Sequence, residues 1–95
     1  MERRLSVKVR PILPFWFRQR QIQAEPVGEN ALRLQGPNLP PCEVRIEPGE
    51  NGNWRGLVVR LDGEPQVIAS GTAVEPHPQS AWQLAFELYR KSVVN

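Results

Sequence analysis

One cysteine and one histidine are all that the 95 residues offer to thiol, imidazole or metal chemistry. A lone Cys42 cannot form an internal disulfide or a multi-thiolate metal site, and a lone His77 leaves little for histidine-based catalysis or zinc binding. Seven glycines, at 28, 36, 49, 52, 56, 63 and 71, make neither a G-x-G-x-x-G turn nor a phosphate-cradling loop. Long apolar runs are missing too. The uncharged stretch between Arg10 and Arg18 carries Pro11 and Pro14, whereas an export signal needs about 7–15 continuous apolar residues and a membrane span about 20. These absences lead us to expect a protein that is not an enzyme, holds no cofactor or metal, stays off the membrane and, with its unpaired thiol, works in the cytoplasm.

Proline is what the chain has in plenty: ten residues, roughly twice the usual ~5% share, which argues against a helix bundle and for strands with rigid connections. Hydrophobic residues at 40% and charged residues at 23% exclude a disordered, charge-driven chain. A chain of this length forms one domain, expected over residues 1–95, and hides only somewhat more than ~60% of its unfolded surface, which leaves little volume for a large internal cavity.

Charge is divided unevenly. Residues 1–20 hold six basic side chains (Arg3, Arg4, Lys8, Arg10, Arg18, Arg20) against Glu2 alone, whereas the remaining residues hold six basic and nine acidic ones. A basic end therefore adjoins a mildly acidic body, and such a cluster attracts anionic partners within a Debye length of about 8 Å at physiological salt.

Leu5, Val7 and Val9 alternate with Ser6, Lys8 and Arg10, the period-2 signature of a half-buried strand. Residues 17–25 and 31–35 read as a hairpin turning at Gly28-Glu29-Asn30. Cys42, Val44 and Ile46 alternate with Glu43, Arg45 and Glu47, and a turn cluster over residues 48–53 separates this strand from residues 54–61. In the latter, Leu57, Val59 and Leu61 are expected on the core face and Val58 on the opposite one. Asp62-Gly63 turns the chain back into residues 66–74. A three-residue loop would set Val59 opposite Val67 and Leu57 opposite Ala69, apolar against apolar, and is preferred to a two-residue loop pairing Leu61 with Glu64.

The clearest helix is expected over residues 79–93, entered through Pro76 and Pro78 and capped by a Ser80/Gln83 box. Its wide apolar arc includes Trp82, Phe86, Leu88 and Tyr89 and must lie against a sheet. The expected fold is α+β: a mostly antiparallel sheet of five or six strands with one C-terminal helix packed on one face.

Two binding readings remain. An antiparallel sheet covered by one helix keeps an open face and two edges, so docking on an unidentified protein partner, or homodimerisation, is expected through that face and the basic aromatic segment. Trp16, Trp54 and Val58 are the apolar anchors of this reading. The alternative is RNA or single-stranded DNA held by Arg10, Arg18 and Arg20 with Trp16 as a stacking ring, because single-strand binders pair cations for phosphate with rings for bases.

Overall fold

The computed structural model describes residues 11–49 and 52–94. Among them five strands follow one another in space as in sequence: β1 (Gln23–Gly28), β2 (Ala31–Gln35), β3 (Cys42–Pro48), β4 (Trp54–Arg60) and β5 (Gln66–Thr72), each antiparallel to the next. A short helix α1 (Trp16–Gln19) precedes the sheet, and α2 (Pro78–Tyr89) follows it, continuing as a π-helical turn over Arg90–Val94. The fold is α+β, with the C-terminal helix packed against the antiparallel sheet as the hydrophobic pattern predicts. The expected strand at residues 5–10 lies outside the described residues.

Helix α2 begins with Pro78 at its first turn, where the missing N–H costs nothing. The expected capping box is absent. His77 holds the N-cap position without a side-chain cap bond, and the Ser80 hydroxyl instead donates to Glu75 Oε1 at 2.9 Å. Ala81, Trp82, Ala85, Phe86 and Tyr89 recur at helical spacing and form the buried face of α2. They meet Leu32, Leu34, Cys42, Val44, Ile46 and Val58 on one face of the sheet, where each large apolar side chain contributes roughly 1.5–3 kcal/mol by leaving water.

Residues 17–19 are helical, not part of a strand. Phe17 N–H donates to Pro14 O and Arg18 N–H to Phe15 O, both at 3.1 Å, and Gln21 at φ 57° ends the turn in the left-handed region. The reason is packing: Phe17 and Ile22 are both buried in one core, yet five residues apart they would point to opposite faces of a strand. The helical turn brings them together. Phe17 then sits edge-on to Phe86 at 5.3 Å and to Tyr89 at 6.4 Å, which ties α1 to α2.

The face assignment in β4 is the reverse of the expected one. Val58 is 0% exposed and belongs to the core beneath α2. Gly56 decides the parity: a Cβ there would lie 2.9 Å from Ala81 O and 3.1 Å from Ala85 N, so the helix backbone approaches β4 at the residue that has no side chain. Val58, two residues on, follows Gly56 to the same side. The β4–β5 hairpin keeps the expected Val59–Val67 pair but sets Leu57 opposite Ser70, because Ile68 is an extra residue bulged between the Val58–Ala69 and Val59–Val67 pairs.

Candidate functional site

Pro11 and Pro14 bracket a short segment with no regular structure that leads into α1. Proline cannot donate to a ladder, which leaves the side chains between and after the two free to face solvent. Ile12 is 71% exposed, Leu13 half exposed and Phe15 77% exposed. Together with Pro14, Trp16, Gln83, Phe86 and Glu87 they line a shallow hollow of ≈ 470 Å³ beside α2. Contiguous exposed apolar groups mark interaction sites more often than isolated ones do.

The cations predicted for this end are partly in place. Arg18 and Arg20 are exposed on and just after α1. The Arg20 guanidinium donates to Val94 O at 3.1 Å, tethering the C-terminal turn, and neither arginine has an acidic partner among the described residues. On the sheet the situation differs: Arg45 is paired with Glu43 at 2.8 Å, Arg55 with Glu47 at 3.2 Å and Arg60 with Asp62 at 2.7 Å. Among the described residues, positive charge without an acidic partner is thus gathered near the exposed apolar crest.

Other predicted site residues fall elsewhere. Arg10 lies outside the described residues. Trp16 is half buried, its ring 6.4 Å from Tyr89 at an interplanar angle of 16°, so one of its faces is already taken. Trp54 packs against the core at the start of β4, and Val58 is enclosed within it. Neither belongs to the crest. Ile12, Leu13 and Phe15 are the exposed groups that alternation did not single out; the signal available for them was the pair of prolines that denies residues 11–14 a place in the sheet.

Cys42 is fully buried, and burial pushes its thiol up from the ordinary value while the Arg60 guanidinium opposes that shift. A thiol in that setting is a small hydrophobe. Burial likewise raises the Tyr89 phenol to about 12. Among the described residues, Tyr89 Oη and Trp82 Nε1 are buried without a hydrogen-bond partner, no group of three or more His, Cys, Asp or Glu side chains is placed to hold a metal ion, and no helix is long and apolar enough to cross a membrane. Comparisons with protein-family models, with curated proteins and with solved structures give no significant match.

Proposed function

We propose that the protein is a non-enzymatic docking module that holds another protein through the crest formed by Ile12, Leu13 and Phe15, with Arg18 and Arg20 at its margin. The observation that carries this reading is the exposure of Phe15 beside cations that have no acidic partner among the described residues. A complementary partner presents an apolar side chain for the hollow beside α2 and carboxylates for the arginines, the arrangement in which a buried anchor supplies affinity and rim charges supply on-rate. The outer face of the sheet is the weaker candidate, since Val58, the anchor assigned to it, is a core residue.

Selection of random peptides displayed on phage against the purified chain tests this. Enriched peptides are expected to combine an aromatic or leucine anchor with Asp or Glu. Phe15→Ser should weaken them by roughly thirtyfold, the effect of a hot spot worth about 2 kcal/mol, with an unchanged circular dichroism spectrum. Peptides that bind the variant as well as the parent would refute the reading. Phe15 next to Arg18 also suits a nucleobase stacked above a phosphate, and this second reading predicts oligonucleotide affinity that falls steeply with salt and a shallower slope in Arg18→Ala/Arg20→Ala.

A further inference from the structure

The two outer edges of the sheet differ in what they offer. Ile46 N–H donates to Asn30 O, which sets the even residues of β2 toward β3, leaves Arg33 and Gln35 to bond Glu25 and Gln23, and turns the backbone groups of Ala24 and Pro26 outward. Pro26 has no N–H to give, a bulge follows it, and the neighbouring Ile22 N–H is taken by Phe17 O at 2.7 Å. Proline, bulge and helix close the β1 edge.

Among the described residues the β5 edge is open. Ala73 N–H donates to Trp54 O at 2.8 Å, so Gly71 also pairs inward, and the N–H and C=O of Ser70 and Thr72 point away from the sheet. No charge or proline occurs in Gln66–Thr72, and beyond the Ile68 bulge residues 69–72 run regularly. Above this stretch the flank of α2 overhangs β5. A Cβ on Gly71 would lie 3.3 Å from Leu84 Cδ2 and 3.8 Å from Leu88 Cδ1, and both leucines are only half buried.

We infer that β5 pairs with β5 of a second copy of this chain, antiparallel, with Gly71 facing Gly71 of the partner subunit. Ser70 and Thr72 then exchange backbone hydrogen bonds in two symmetric pairs, and the sheet becomes continuous across the dyad. The missing side chain at Gly71 leaves the space above the dyad to Leu84 and Leu88 of both helices. A second copy is the occupant that an uncharged edge fits, because self-pairing brings no like charges face to face and β5 offers no charge pattern for a different strand to read. Glu87, the acid on this flank, is held by Arg90 at 2.9 Å, so the approaching helices carry no bare carboxylates. With Gly71 on the dyad the two strands overlap over residues 70–72, about 10 Å, beneath a helix layer about 10 Å above them. So short a seam, completed by the leucines, falls below the area of permanent interfaces and makes the dimer weak and reversible.

Sedimentation velocity between about 1 µM and 1 mM should show the monomer giving way to a dimer. Over the same range amide exchange at Ser70 and Thr72 should slow at least ~tenfold while Ala24 stays unchanged. Thr72→Pro and Leu84→Lys should each raise the dissociation constant at least ~tenfold. Phe15→Asp should leave it unaltered, which keeps this result separate from the docking reading. A chain that stays monomeric at the highest concentration, or a dimer in which Ser70 and Thr72 exchange as in the monomer, overturns the inference. Should the β5 or α2 variants unfold, exchange in the unaltered chain decides it.

Discussion

Beneath α2 the sheet presents Leu32, Leu34, Val44, Ile46, Gly56 and Val58; on its reverse the register sets Glu25, Arg33 and Glu43 in one row, and Glu47 beside Arg55 in another. The first surface works by volume. The α2 backbone comes so close to Gly56 that an added Cβ would stand 2.9 Å from Ala81 O, so each side chain there has a fixed space to fill. The second works by alternating charge, with acids and bases meeting both within a strand, as Arg45 meets Glu43, and between strands, as Arg55 meets Glu47. Leu57 and Val59 lie on this reverse side and are nonetheless buried. One β-strand thus carries two buried apolar sets, Val58 beside Gly56 beneath the helix and Leu57 with Val59 on the charged face.

The largest effect expected from breaking this difference is that of Val58→Asp. A carboxylate with no partner would stand under α2, and the cost, about 4 kcal/mol or more, should abolish the cooperative urea transition at neutral pH. Alkaline pH attacks the same surface more gently. The Tyr89 phenol is raised to about 12 in the folded protein against an ordinary value of 10.0, so the stability tied to its neutral form is complete below pH 10 and is lost as pH rises from 10 through 12. The loss amounts to on the order of 3 kcal/mol at the upper end. Urea titrations at pH 8, 10 and 12 should show it, and Tyr89→Phe should remove most of it. On the charged side the effect should be small. Arg45→Ala removes two guanidinium N–H groups that meet a single oxygen of Glu43, a carboxylate only 14% exposed, and should cost about 1 kcal/mol or less by the same titration.

β2 and β3 were legible because apolar and polar residues take turns from Leu32 and from Cys42 onward, Leu32 and Leu34 against Arg33 and Gln35, and Cys42, Val44 and Ile46 against Glu43 and Arg45. β4 was not, because Leu57, Val58 and Val59 are apolar on both parities and alternation has nothing to separate. The residue that breaks the tie, Gly56, acts through the approach of a helix that local pattern does not contain. Helix α1 was obscured for a similar reason: its turn is dictated by the joint burial of Phe17 and Ile22, a tertiary demand. At the candidate site the basic character of residues 18–20 was evident from charge counting. The exposure of Ile12, Leu13 and Phe15 was not, since apolar residues in a small domain are read as core by default.

The sealed position of Cys42 on β3, between β2 and β4 and beneath α2, gives the molecule a built-in stopwatch. A thiol-specific dye cannot reach its sulfur unless those strands part, so the pace of labelling reports how often the interior opens, without any engineered probe.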